Sequence, residues 1–525
     1  MGFAAVVAAD TAHVSSMAYG DRVKLIHRSG SLVCALTVLA VLPTPSLVAA
    51  TNLEPIGTWS MVPQSKDANG DGFIDGDGGV PSSGALSLQP ANTFIGAGNY
   101  VAQPNERLIG GSLSWYLDPA GYPVSLNACK SKGTSFSWTV QRGGQVVLTT
   151  PVKKLTKKSC KTTVTLPEGP HSLQLTVQAG SKAKRVSMAA NISNYLMVVM
   201  GDSYASGEGN PRNVQAWIKN RGSIFSPYWD NDQCNRSVHG GPAQAALRLE
   251  KASNKSSVTL VDVSCSGATI DRGILGNQFA TTKSQVEQVA ELIGTREIDA
   301  LSLTVGGNDV GFSSILTTCA LTANCPVSKA SNGPLAPYPT VQTGVQALTA
   351  QLANQYSRIN SCLTDGSCLS PRGAVLPSIQ LSAIGKVFLS SYPDLTRDSN
   401  GSMCSYLTIT REDFQWSRDT ILSPAPANPF AYTTTRSQVV NLDTAAGSLN
   451  GQINATSNLG WIPVMGIWGA SGESETGHGV CAGSNAWIFG LTGLTGFTSG
   501  SFHPNPEGQT VIGQQIFAQI KASGI

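Results

Sequence analysis

The sequence predicts an α/β protein: a parallel sheet with helices on both faces, preceded by a small all-β sandwich. Three observations carry that reading. From Tyr195 onward, apolar runs alternate with longer helix-like stretches. From about Ala85 to Ile192 the segments are shorter, follow a period of two and are separated by turn residues. At 525 residues the chain is too long for one ordinary core, which calls for two or three domains.

The first element is a targeting region over residues 1–50. Arg22, Lys24 and Arg28 precede the apolar run Leu32 to Leu42, and Val48-Ala49-Ala50 supplies a small-residue end. This is the pattern of a secretory signal, with Met17 as a candidate start. Pro43 and Pro45 break the apolar run, which argues against a lasting membrane span. With Cys34 inside the signal, ten of the 11 cysteines remain for an oxidising compartment. Their grouping suggests the pairs 129–160, 234–265 and 404–481. Cys319, Cys325, Cys362 and Cys368 then pair among themselves, in an arrangement the sequence leaves open.

Residues 51–84 read as a linker rich in Gly, Asp, Ser and Pro. Within it, Asp67, Asn69, Asp71 and Asp75 follow the spacing of the first nine positions of a calcium loop, with Gly72 at the sharp turn. Gly78 stands where the closing glutamate belongs, so a structural calcium there competes with a plain acidic turn. The sandwich is assigned to residues 85–193. Ser135–Val140, Gln145–Leu148, Thr162–Leu166 and Ser172–Val177 alternate, and Arg142-Gly143-Gly144 and Pro167-Glu168-Gly169-Pro170 mark turns. Trp138 and a Cys129–Cys160 bridge suit the core of an immunoglobulin- or PKD-like layout. The run Lys153 to Lys158 could touch a polyanionic surface, but a solvated hairpin face is the favoured reading; a cell-surface or glycan contact is considered for the sandwich as a whole. With 13% charged residues and a net charge of +3, the chain as a whole is not expected to bind nucleic acid or an anionic membrane.

The parallel sheet is assigned to residues 194–525. Its strands are Tyr195–Met200, Ser257–Val263, Ile298–Val305, Lys386–Leu389 and Trp461–Met465, with helices over Val341–Leu363 and Ser437–Ile453. Three strands end in polar, glycine-containing signatures. These are Gly201-Asp202-Ser203, Ser264-Cys265-Ser266-Gly267-Ala268-Thr269 and Gly306-Gly307-Asn308-Asp309. The carboxyl edge of an open α/β sheet is where ligands bind.

Those signatures hold the parts that acyl transfer requires. A serine hydroxyl needs a base, and the tetrahedral intermediate needs donors for its oxyanion. Ser203 offers the nucleophile and a backbone N–H. Gly267 offers a second N–H without a Cβ in the way, and Asn308 offers a side-chain amide. Among six histidines, His13 and His27 precede the cleavage site and His171 lies in the sandwich. Of His239, His478 and His503, the last, in Ser501-Phe502-His503-Pro504-Asn505, is the best base.

The blocks GDSYASGEGNP, SCSGAT, GGNDVGF and FHPN, in that order, resemble those of the SGNH hydrolases, or GDSL lipases and esterases. The resemblance spans roughly residues 194 to 525 and is nearest the secreted actinobacterial branch. It implies a three-layer α/β/α fold of flavodoxin-like character, Ser203, Gly267, Asn308 and His503 as the four name residues, and ester hydrolysis with no catalytic cofactor. One departure stands out. The family's acid three residues before the histidine is here Gly500, so a main-chain carbonyl of Gly500 or a neighbour is expected to orient the ring in its place. Glu473 and Glu475 are the rival orienters. The leading expectation is a secreted esterase or lipase acting on an ester substrate. A polysaccharide O-acetyl esterase and a non-enzymatic surface-binding protein are the alternatives.

Overall fold

A computed structural model describes residues 52–63, 67, 108–109, 112–113, 121–219, 226–280, 282–364, 366–422, 448–467, 477–492 and 497–525. They belong to one compact unit within Thr51–Ile525. The signal region, the calcium-loop residues Asn69, Asp71 and Asp75, and the glutamates Glu473 and Glu475 lie outside the described residues.

The first half of the fold is antiparallel. Strand β1 (Thr58–Met61) is followed by a small hairpin of β2 (Leu108–Ile109) and β3 (Ser112–Leu113). Then come β4 (Tyr122–Asn127), β5 (Ser135–Arg142), β6 (Gln145–Thr149), β7 (Lys153–Lys154), β8 (Lys161–Leu166), β9 (Gly169–Ala179) and β10 (Lys182–Gly201). One sheet runs β1-β4-β8; in the other, β9 joins β10 to β5, and β5 also pairs with β6 and β7. Alternation gives the longer strands one buried face, as in β8, where Thr162, Val164 and Leu166 are buried and Lys161, Thr163 and Thr165 are exposed. Trp138, Phe136, Leu126, Leu173 and Leu175 from both sheets share one core. Cys129 and Cys160 are joined beside it.

Strand β10 belongs to both halves. Lys182 to Ile192 pair antiparallel with β9, and from Ser193 onward the partner is the parallel strand β11 (Ser256–Asp262). The change of partners falls between Ile192 and Ser193, inside one unbroken strand. Beyond it stand β12 (Ile298–Thr304), β13 (Leu381–Ser390) and β14 (Ile462–Val464). The parallel order is β11-β10-β12-β13-β14. Counted from β10, that is 2-1-3-4-5, the flavodoxin-like order, whose switch point lies between the first and third strands. Leu196, Met197, Val198 and Val199 are fully buried, as a strand covered on both faces requires.

The helices follow the same logic. They are α1 (Ser203–Ser206), α2 (Val214–Lys219), α3 (Gly241–Ala252), α4 (Gln285–Ile293) and α5 (Phe312–Leu321), then α6 (Val341–Thr349), α7 (Leu352–Thr364), α8 (Arg411–Ser417), α9 (Leu449–Ala455) and α10 (Pro506–Ala522). Helix α3 packs on β11 and against α10, and α7 packs against α9. The single helix expected over Val341–Leu363 is two helices. A tight Gln351 N–H to Leu348 carbonyl bond of 3.1 Å ends the first. Of the helix expected from Ser437, only Leu449–Ala455 lies among the described residues. The cysteines pair as 129–160, 234–265 and 404–481, and the remaining four resolve into 319–325 and 362–368.

Candidate active site

At the switch point the chain turns sharply out of β10. Gly201 has φ +134°, and a Cβ there would meet the Thr304 carbonyl oxygen of β12 at 2.2 Å, so only glycine fits. The Gln285 side chain clasps this turn, accepting from Gly201 N–H at 2.7 Å and donating to the Gly201 carbonyl at 2.9 Å. Asp202 then caps α1, accepting from Tyr204 N–H at 3.1 Å. Ser203 is thereby placed, buried, at the first position of a one-turn helix. Its own carbonyl accepts from Glu208 N–H at 3.0 Å and from the Ser206 hydroxyl at 3.2 Å, which closes the nucleophile loop.

The second and third blocks meet beside it. The Cys234–Cys265 bridge and a 3.0 Å bond from Ser266 N–H to the Cys234 carbonyl fix the turn carrying Gly267, whose φ of +77° is left-handed. Asn308 donates its side-chain amide to the Ala268 carbonyl at 3.1 Å, so the two expected oxyanion donors are tied to one turn. Asp309, next in sequence, accepts from Ile270 N–H at 3.0 Å. Asp202 and Asp309 are thus anchors of loops; burial raises each of their pKa values to about 7.

His503 arrives from the other side, on the turn leading into α10. Phe502 before it adopts φ +56°, a left-handed conformation uncommon for a bulky residue. The ring Nδ1 lies 2.9 Å from the Ser501 carbonyl oxygen. The Gly500 carbonyl is spent instead on His503 backbone N–H, at 3.1 Å. Gly500 is therefore not the ring's partner; the left-handed Phe502 turns the Ser501 carbonyl to that position. With Nδ1–H donated, Nε2 of the neutral ring keeps its lone pair, the state a base requires. The nucleophile and histidine loops touch: a Cβ on Gly209 would lie 3.0 Å from His503 Cβ. Ser203 and His503 share this edge without a direct hydrogen bond between Ser203 Oγ and the ring. What Nε2 faces is the Glu208 carboxylate, at 3.5 Å.

Three supporting residues were not legible as a set. Glu208 is buried and accepts from Asn235 Nδ2 at 3.0 Å and from the Ser266 hydroxyl. It links the Ser203 loop, the Gly267 turn and His503. Tyr392, two residues beyond β13, donates to Asp202 and accepts from Gly307 N–H at 2.8 Å. The Tyr204 hydroxyl donates to the Phe502 carbonyl at 3.1 Å. A strand-end position was the one signal for Tyr392. Of the other histidines, His478 stacks on Trp487 with ring centroids 3.3 Å apart, and its Nδ1 is bonded to the Asn485 carbonyl. Asp67 of the linker pairs with Lys251.

No protein-family model matches the chain, and no curated protein matches it. Among solved structures it is similar to an extracellular lipase from Streptomyces rimosus, at 18% identity and a TM-score of 0.34, over 62% of this chain and 98% of that one. It is also similar to a carbohydrate esterase, at 11% identity and 0.28, over 81% and 96%. A third is an acetyl xylan esterase, Est2A, from the rumen bacterium Butyrivibrio proteoclasticus, at 12% and 0.21, over 65% and 88%. The likenesses are weak, and the α/β assignment rests on the strand order itself.

Proposed function

We propose that the chain is a secreted serine ester hydrolase of the SGNH type, acting on carboxylic esters. One observation carries the reading: a buried strand-end serine, a glycine turn, an anchored asparagine and a carbonyl-held histidine converge on one sheet edge. The Ser203 hydroxyl attacks the ester carbonyl carbon as its proton passes to His503 Nε2. The oxyanion forms toward Ser203 N–H, Gly267 N–H and the Asn308 amide. Collapse breaks the bond to the alcohol, which leaves with the proton from His503. Water, deprotonated by the same ring, then releases the acid and restores Ser203. No cofactor enters these steps.

The imidazolium is stabilised from two sides. The Ser501 carbonyl holds Nδ1–H, and the Glu208 carboxylate faces Nε2, where the incoming charge is shared. That arrangement performs the task an aspartate three residues upstream performs elsewhere. Five disulfides support placement in an oxidising compartment.

A second reading, a polysaccharide O-acetyl esterase, draws on the groove flanking the histidine loop. It encloses about 680 Å³ and is lined by Trp217, Tyr406, Trp487, Asn485 and Asn505, a mixture suited to a sugar ring. The test of the main reading is labelling of folded protein by a fluorophosphonate, with hydrolysis of short p-nitrophenyl esters in parallel. Labelling that is confined to Ser203 and lost in Ser203→Ala is the expected result. Absence of labelling in folded protein with its disulfides intact would overturn it.

A further inference from the structure

Charge is distributed very unevenly along the chain. Residues 121–192 contain eleven lysines and arginines and a single acidic residue, Glu168, whereas the full chain has 35 basic against 32 acidic residues. All eleven cations are exposed. Glu168 stands apart from most of them, accepting from Asn194 N–H at 2.6 Å.

The fold gathers nine of the lysines at one end. The Cys129–Cys160 bridge and the pairing of Asn127 with Lys161 bring Lys130 and Lys132 beside Lys157, Lys158 and Lys161. Lys153 and Lys154 pair with Phe136 and Ser135 at the start of β5. Ser135 in turn pairs with Gln178, next to the β9–β10 hairpin that carries Lys182 and Lys184. The one described carboxylate among them is Glu54, 2.7 Å from Lys132. Lys132, with Lys184 further off, holds its carboxyl below the ordinary value. Here β10 begins; it ends at Gly201, beside Ser203, so roughly 60 Å of extended strand separates the lysine end from the reaction edge.

We infer that this end of the β region is a docking surface for a linear acidic polysaccharide. Among the described residues nine lysines face a single carboxylate here, Glu54, which suits a polyanion rather than a protein of mixed charge. No aromatic residue occurs in 129–134, 151–161 or 179–185, so bases of a single-stranded nucleic acid have no stacking platform. Val152 is the one large exposed apolar side chain in these segments, too little to anchor in a membrane interface. Ser159 and Ser181, both exposed, add hydroxyls suited to sugar oxygens. Disulfides place the chain where acidic glycans are the abundant polyanions. The surface holds the protein on its matrix while the opposite edge stays open to substrate.

The experiment titrates the full-length mature protein with polygalacturonate at increasing salt. Duplex DNA and phosphatidylglycerol vesicles serve as separate arms. The wild type is expected to bind at about 20 mM salt and to weaken steeply by about 200 mM. Replacing Lys153, Lys154, Lys157 and Lys158 together by Gln is expected to weaken binding by about tenfold or more. A charge-matched variant with Lys329, Arg372, Arg411 and Lys521 replaced by Gln, all exposed and outside the region, is expected to retain it. The thermal midpoint of each variant reports folding, and hydrolysis of a small soluble ester should be the same in all three proteins. No wild-type binding, equal loss in both variants, or tighter binding to DNA or vesicles than to polygalacturonate would overturn the inference. None of the binding readouts depends on Ser203.

Discussion

The two ends of β10 show opposite uses of charge. At its start, lysines stand in water. At its finish, carboxylates are buried and each is held by named donors: Asp202 by Tyr204 and Tyr392, Glu208 by Asn235 and Ser266. An exposed charge acts at a distance and is screened by salt, whereas a buried one acts on its immediate neighbours and must be satisfied locally. One strand thus joins a long-range electrostatic surface to a short-range, tightly bonded edge.

The sharpest way to break this division is at the finish. Ser203→Ala or His503→Ala should lower kcat/KM for a soluble ester by about 10⁴-fold or more. Neither should alter the salt-dependent retention of the protein on polygalacturonate. Steady-state kinetics and the titration together check the separation; loss of both properties from either substitution would show that the two ends are not independent.

The buried carboxylates predict the next effect, on stability. Burial raises Asp202 and Asp309 from 3.8 to about 7 in the folded chain. Between those values each of these groups binds more protons in the folded than in the unfolded state, so their contribution to stability is fully present below about pH 4 and is lost as pH rises toward 7. Above about 7 both states are ionised and this contribution stays flat. Asp202→Asn keeps the helix cap and should flatten the slope, as should Asp309→Asn. Urea midpoints at intervals between pH 4 and 8 check it, and variants with the wild-type slope would refute the assignment. Exposed lysines at the other end should leave this window unchanged.

How much of this was legible in the sequence follows from distance along the chain. Ser203, Gly267 and Asn308 each lie in a short block at the end of an apolar run, because a parallel sheet exposes its strand ends on one edge. His503 stood out by elimination. The carbonyl that holds its ring did not, since choosing Ser501 over Gly500 depends on the left-handed turn at Phe502, which the residue type disfavours. Tyr392 and Asp202 are 190 residues apart, and Gln285 reaches Gly201 across 84; no local pattern reports such pairs. Strand β10 was read from Tyr195 because its first half is largely exposed and polar, so the continuity that joins the two halves came only from its pairing with β9.

Tyr392 is the residue through which that hidden layer can be probed. Tyr392→Phe keeps the ring edge against Tyr204, at 5.2 Å, while removing the donor to Asp202 and the acceptor for Gly307 N–H. Two buried polar partners then go unsatisfied, at a cost of about 1–3 kcal/mol each. The Gly307-Asn308 turn should loosen, lowering kcat with the thermal midpoint. A substitution as silent as one among the exposed lysines would mean that Tyr392 does not position the third block.

Glu208 gives the smallest expected effect and the most specific one. Its carboxylate lies 3.5 Å from His503 Nε2, and a neutral ring presents a lone pair there. Attraction therefore develops only once the ring has taken the serine proton, so Glu208 favours the transition state over the bound substrate. Glu208→Gln removes the charge while its amide oxygen still accepts from Asn235 and its NH2 donates to the Ser266 hydroxyl, which can turn to accept. The expected result is a fall of about tenfold in kcat, with KM and the thermal midpoint close to wild type. Glu208→Ala, which also releases the oxyanion turn through Ser266, should be worse in both activity and stability. If Glu208→Gln keeps full kcat while Glu208→Ala loses it, the residue is a brace for the loops and its charge plays no part in the chemistry.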